Sequence, residues 1–256
     1  AKSWAGGAWF RSFVDWRRKQ GENRLMPARP PSPAIEALLR DLGSNLRRGA
    51  GPTAAPARCP TGLPDIDRLL DGGFPRGRLS EIAGSACCGR TSLALALLAR
   101  ITAGGEVVAL VDGADAFDPP SAAAAGVDLS HLLWVRTSEV SYTLRSTEHL
   151  LAARGFALVL LDLAPVHRPP VRIPSSAWLR LRRTAAGTDT ALVVLGERRL
   201  TDTFADLAIE MSGAKPRFQG TPALLEGLDG RVQLVRNRMG LHDCAVAVRW
   251  QSASAA

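Results

Sequence analysis

Between residues 77 and 196 the apolar positions fall in short unbroken runs, separated by stretches of helical periodicity. The runs are GRLSEIA (77–83), VVALVD (107–112), LLWV (132–135), ALVLLDL (157–163) and ALVVLG (191–196). Apolar runs without polar alternation are what parallel strands covered on both faces require. Helix-like PDIDRLL (64–70) precedes the first run, TSLALALLARI (91–101) follows it, and helical stretches lie near 141–154 and 175–186. The last two segments behave differently. RVQLVRNR (231–238) and CAVAVRW (244–250) alternate apolar with polar and are separated by MGLHD, which predicts an antiparallel hairpin at the sheet's end. The predicted fold class is α/β, with a mostly parallel central sheet and a C-terminal antiparallel hairpin.

Upstream the pattern predicts a helix followed by a linker. Ser32 can cap, Pro33 suits the first helical position, and Ile35, Leu38, Leu39, Leu42 and Leu46 form one apolar stripe. Arg47 and Arg48 favour the helix C-terminus, Gly49 ends it, and GAGPTAAPARCP (49–60) reads as a linker. So small a helix cannot bury its stripe alone, and must dock on its own core or on a neighbour. The expected organisation is an N-terminal arm (1–31), the amphipathic helix and linker (32–60), and a core domain (61–256). The arm places Trp9, Phe13 and Trp16 at helical spacing. It is either a partner-binding segment or a disordered stretch upstream of a start at Met26.

Composition narrows the class. The 256 residues are 46% hydrophobic, and no apolar run approaches the roughly 18 residues that span a bilayer. Residues 1–25 lack the apolar stretch of a secretory signal. Cys59, Cys87, Cys88 and Cys244 have no metal-ligand spacing, and the four histidines are scattered, so the expectation is a cytoplasmic protein without a metal centre. The net charge of +8 is uneven: residues 1–58 hold 11 basic and 4 acidic residues, 59–163 hold 8 and 12, and 164–256 hold 13 and 8. Basic ends suit a nucleic-acid backbone or an acidic partner. The excess of 29 Arg over 3 Lys fits a compositional bias equally well.

The candidate chemistry lies in GSACCGRTS (84–92). A phosphate-binding loop needs Gly, four residues, Gly, Lys and Ser or Thr. Its glycines let backbone N–H groups face an anion at a helix N-terminus, its lysine bridges the terminal phosphates, and its hydroxyl binds magnesium. Gly84, Gly89 and Thr91, followed by Ser92, stand in place, but Arg90 occupies the lysine position. Arginine keeps the charge and substitutes a broad planar fork for a compact ammonium.

These segments together resemble the RecA-like superfamily. TGLPDIDRLLDGGFPRGRLSEIAGSACCGRTSLALALLA is similar to the opening of that P-loop core, and VVALVDGADAFDP with AGVDLSHLLWV to its second strand and sequel. The resemblance assigns Asp162, in ALVLLDLA, to magnesium coordination. In GRVQLVRNRMG it assigns Arg236 and Arg238 to the nucleotide of a neighbouring subunit. It also exposes departures. Ala114 stands where the family has its water-positioning glutamate, with Asp115 one residue away. Ser121 replaces the ring that stacks on adenine, and Glu197 the glutamine that senses the γ-phosphate. Each change removes a different chemical role, so the resemblance implies a degenerate nucleotide site, without a required cofactor and with at most weak ATP and magnesium binding.

The loops that enclose DNA in the recombinase are also altered. The first is replaced by APVHRPPVRIPSS (164–176) and the second is nearly lost in ERRLTDTFADLAIEM (197–211); no C-terminal domain is expected after Trp250. Arg168, Arg172, Arg180, Arg182 and Arg183 remain candidates for phosphate contact, against the alternative of a solvated helix face. This combination resembles the ImuA family of SOS-mutagenesis accessory proteins. That resemblance implies no enzymatic activity and a role in translesion synthesis. Its implied partners are RecA, an ImuB-like inactive Y-family polymerase, a specialised replicative-type polymerase and single-stranded DNA. The rival readings are a DNA-dependent ATPase acting as recombination mediator and a structural adaptor without DNA contact.

Overall fold

The computed structural model describes residues 56–164, 173–220, 223–240 and 244–251. The chain divides into Ala1–Thr53 and Ala54–Ala256, and the described residues all belong to the second unit. The N-terminal arm, the stripe Ile35, Leu38, Leu39, Leu42 and Leu46, and Arg168 and Arg172 lie outside the described residues.

In chain order the strands are β1 (Arg58–Cys59), β2 (Phe74–Pro75), β3 (Leu79–Gly84), β4 (Val108–Asp112), β5 (Leu132–Arg136), β6 (Leu158–Asp162), β7 (Ala191–Gly196), β8 (Leu207–Gln219), β9 (Leu224–Asn237) and β10 (Cys244–Gln251). The helices are α1 (Pro64–Leu69), α2 (Arg90–Thr102), α3 (Pro119–Ala124), α4 (Val140–Ala153) and α5 (Ser175–Ala186). One eight-stranded sheet runs in the order β10-β9-β8-β3-β7-β6-β4-β5. Strands β3 to β8 pair in parallel, and β8, β9 and β10 pair antiparallel. The fold is α/β with a mostly parallel sheet and an antiparallel hairpin, as the hydrophobic pattern predicts.

Burial explains the pattern. Every residue of β3, β4 and β7 is buried, because helices cover both faces of the sheet. One core layer joins Ile66 and Leu70 near α1, Leu93 and Leu97 on α2, and Trp250 on β10. The other joins Leu151 on α4, Trp178 and Leu181 on α5, and Leu161 and Val194 on the sheet. Strand β5 lies at the sheet's edge, and there Leu133 is exposed. Helix α1 is anchored from within: Asp67 accepts hydrogen bonds from the Thr61 amide (2.7 Å), the Thr61 hydroxyl (2.8 Å) and the Gly62 amide (3.1 Å).

Two expectations need correction. Cys59 falls in the stretch read as linker, yet it is fully buried and pairs with Phe74 in the small β1–β2 ladder. A two-residue strand carries no periodicity to read. The terminal hairpin is also larger than predicted: β9 begins at Leu224 and pairs with β8 on one side and with β10 on the other. Register shifts at Ala208/Ile209, Ser212/Lys215 and Arg217/Phe218 break the alternation that would mark these strands.

The β7–β8 connection is short for a parallel crossover, which usually needs a dozen or more residues and a helix. Residues 197–206 instead pass over the face of β3, with Leu200, Phe204 and Ala205 packed into the second core layer.

Candidate nucleotide site and its comparison with known proteins

The loop at residues 84–92 leaves the carboxyl end of β3 and enters α2, the strand–loop–helix setting that the motif requires. Its backbone takes the curled path of a phosphate loop. Cys87 has φ +59° and Gly89 φ +90°, and Gly89 caps α2 without any side-chain hydrogen bond. The first amides of α2 therefore have no intrahelical acceptor and face the loop. Ser85, Ala86, Cys87 and Thr91 are exposed, Ser92 is half-buried, and Cys88 and Gly89 are buried.

Packing from outside fixes that path. A Cβ at Gly84 would lie 2.5 Å from Cys88 Sγ, and one at Gly89 would lie 2.5 Å from Trp250 Nε1. The indole of β10 thus sits directly on the last glycine of the loop, where no other residue fits. Trp250 is 9% exposed, and its Nε1 meets no acceptor among the described residues.

The side chains at the site face one another. Arg90 Nη1 donates to the carbonyl of Gly84 and, at 3.2 Å, to that of Gly196. Its guanidinium thereby bridges the carboxyl ends of β3 and β7. Asp162 ends β6 in register with Asp112 on β4. Burial pushes the Asp162 carboxyl up to about 6; the Ala164 amide and the Arg90 charge pull it back, and the neighbouring Asp112 adds to the rise. Asp162 Oδ1 accepts from the Ala164 amide at 2.9 Å. Buried Asp112 accepts from the amides of Ala116 (3.2 Å) and Phe117 (3.1 Å) and from Trp134 Nε1 (3.3 Å).

Asp115, the candidate stand-in for a catalytic carboxylate, has φ +55° and forms an ion pair with Arg136 at 2.7 Å. Arg136 in turn lies over the Trp134 ring, 5.2 Å from its centre. Ser121 lies exposed on α3, its amide bonded to Asp118. Glu197 is exposed and lines a cavity of about 500 Å³ with Gly84, Ser85, Arg198, Arg199 and Glu210.

The arginines considered for DNA or inter-subunit contact separate into distinct settings. Arg182 pairs with buried Asp206 at 3.0 Å, which gives it a partner within the fold. Arg236 and Arg238 both donate to the Thr203 carbonyl, at 3.2 and 2.8 Å. They stand at the end of β9 that pairs with the start of β8, at the end of the sheet opposite the chain's own phosphate loop. Arg180 approaches Glu148 at 3.5 Å, and Arg183 is exposed with no partner among the described residues.

Sequence reasoning missed Glu81. On fully buried β3 its Oε1 accepts from the amides of Leu200 and Thr201 (3.0 Å for the latter), and its Oε2 from the Thr201 hydroxyl at 2.6 Å. It pins the β7–β8 strap across the strand that carries the phosphate loop. A single carboxylate inside an apolar strand was the available signal, because a buried charge requires dedicated partners.

The RecA N-terminal domain family matches residues 42–175. The RecA protein of Picosynechococcus sp. is 33% identical over 135 residues, covering 50% of this chain and 39% of that protein. RecA of Synechococcus sp. (strain CC9605) is 30% identical over 189 residues, covering 72% of this chain and 50% of that protein. This chain thus spans half or less of the length of these relatives. Among solved structures, the RadB recombinase aligns with a TM-score of 0.59 at 20% identity, covering 75% of this chain and 95% of that one; this likeness bears on the fold alone. Fold, loop and family match converge, and the chain belongs to the RecA family through its N-terminal domain.

Proposed function

We propose that this protein is a non-catalytic RecA-like accessory factor in SOS-induced translesion DNA synthesis, in the manner of the ImuA family. It binds RecA, together with an ImuB-like inactive polymerase and a specialised replicative-type polymerase, and modulates RecA filaments. Family membership supports DNA repair and recombination as the setting.

The observation that carries the non-catalytic reading is Arg90. One nitrogen of its guanidinium, Nη1, is engaged by two main-chain carbonyls, where a phosphate loop needs a cation directed at its ligand. Asp115 is tied to Arg136, and Glu197 brings a negative charge to the loop's cavity. Thr91 and Asp162 would be the residues to hold a weakly bound magnesium ion, which would supply charge neutralisation to a phosphate. The stripe Ile35, Leu38, Leu39, Leu42 and Leu46 docks on a RecA protomer, so that a false protomer ends or weakens a filament and clears DNA for the polymerases.

Adding the purified protein to preformed RecA filaments on single-stranded DNA tests this. Shorter filaments or a reduced RecA ATPase rate are expected, with the effect lost in a Leu38→Glu/Leu42→Glu variant. Filaments unchanged by excess protein would contradict the proposal.

A further inference from the structure

A groove of about 520 Å³ runs between the N-terminal halves of α4 and α5, apart from the phosphate loop. Its floor is aliphatic, formed by Val140, Leu144, Pro174 and Ala177. Its rim is aromatic and basic. Tyr142, the chain's one tyrosine, is 56% exposed. Arg145 is exposed and has no ion-pair or hydrogen-bond partner among the described residues. Arg180, across the groove, meets only Glu148 at 3.5 Å, and Arg183 lies one turn further along α5. Two guanidinium groups, those of Arg145 and Arg180, therefore border an apolar cleft against one carboxylate, that of Glu148.

We propose that this groove docks an acidic segment of a partner protein, with an aliphatic side chain seated on the floor and flanking carboxylates meeting Arg145 and Arg180. Charge complementarity selects the sign of the occupant. The floor selects a peptide over a nucleic acid, because single strands are held by successive aromatic platforms and this groove offers one ring above aliphatic side chains. The chain's own segment 165–172, PVHRPPVR, carries Arg168 and Arg172 and no acid, so its charge opposes that of an occupant for this rim. The inference goes beyond the nucleotide site and stands whether or not that site turns over ATP.

The lone tyrosine provides the test. Biosynthetic replacement with fluorotyrosine gives the folded protein a single fluorine NMR signal at the groove. The probes are a synthetic peptide of aspartates flanking leucine, its lysine-for-aspartate counterpart, and an oligothymidylate. The acidic peptide is expected to shift the signal saturably, and the basic peptide to leave it in place. An Arg145→Glu/Arg180→Glu variant should weaken the acidic peptide about tenfold and gain binding of the basic one. Both arginines are exposed, so an unchanged melting temperature confirms the variant's fold. A signal indifferent to the acidic peptide, an equal response to both peptides, or a response to oligothymidylate that the acidic peptide does not match would overturn the proposal.

Discussion

The backbone of the phosphate loop and the side chains around it are held by opposite kinds of contact. The backbone is braced by the core: Cys88 fills the space beside Gly84, Trp250 lies on Gly89, and Glu81 locks the neighbouring strap to β3. The side chains have partners within the chain: Nη1 of Arg90 meets two carbonyls, Asp115 meets Arg136, and Asp112 meets two amides and an indole. In a working phosphate-transfer site the unsatisfied groups are those directed at the ligand. Here the cation and the candidate catalytic carboxylate already have partners, and among these side chains the orphaned donor is Trp250 Nε1, behind the loop. On the proposed non-catalytic reading, packing preserves the loop's shape independently of its chemistry.

Substitutions in the frame and in the side-chain set should therefore have unequal effects on stability. The largest loss is expected for Glu81→Ala, which leaves the buried donors of Leu200 and Thr201 without an acceptor. Urea denaturation should register about 4 kcal/mol. Trp250→Ala opens a cavity behind Gly89 and should destabilise by about 3 kcal/mol in the same assay, with Trp250→Phe recovering most of the loss.

Asp162 should respond in the other direction. Burial raises its pKa to about 6, so the folded chain retains a proton that the unfolded chain releases near 3.9, the ordinary value, give or take about a unit. Between about pH 4 and about pH 6 the folded state binds more protons, and stability falls as pH rises through that window, then levels off. Asp162→Asn keeps an acceptor oxygen for the Ala164 amide and removes the buried charge. It should stabilise the protein by about 2 kcal/mol above pH 6, with the gain vanishing near pH 4. Thermal melts at the two pH values check the sign. The smallest change is expected for Arg90→Lys, which gives up the Nη1 hydrogen bonds to Gly84 and Gly196 for about 1 kcal/mol. Losses as large at Arg90 as at Trp250 would break the contrast between frame and side chains.

The parallel half of the fold was legible because complete burial writes itself as unbroken apolar runs: β4 and β7 are readable from VALVD and ALVVLG alone. The hairpin was legible only in its last third, since the bulges along β8 disrupt the period-two pattern. At the site, spacing located Gly84, Gly89, Arg90, Thr91 and Asp162. It could not tell where the guanidinium of Arg90 turns, which depends on carbonyls at the ends of two strands more than a hundred residues apart in sequence. Trp250 and Glu81 escaped for the same reason. Each acts on a segment distant in the chain, and neither belongs to a local motif.

The most direct measurement is ATP hydrolysis by the purified protein with magnesium and single-stranded DNA, comparing the wild type with Asp162→Asn. The account predicts no turnover above background in either. Turnover by the wild type that Asp162→Asn abolishes would contradict it, and would make the bridging position of Arg90 the resting state of a working enzyme.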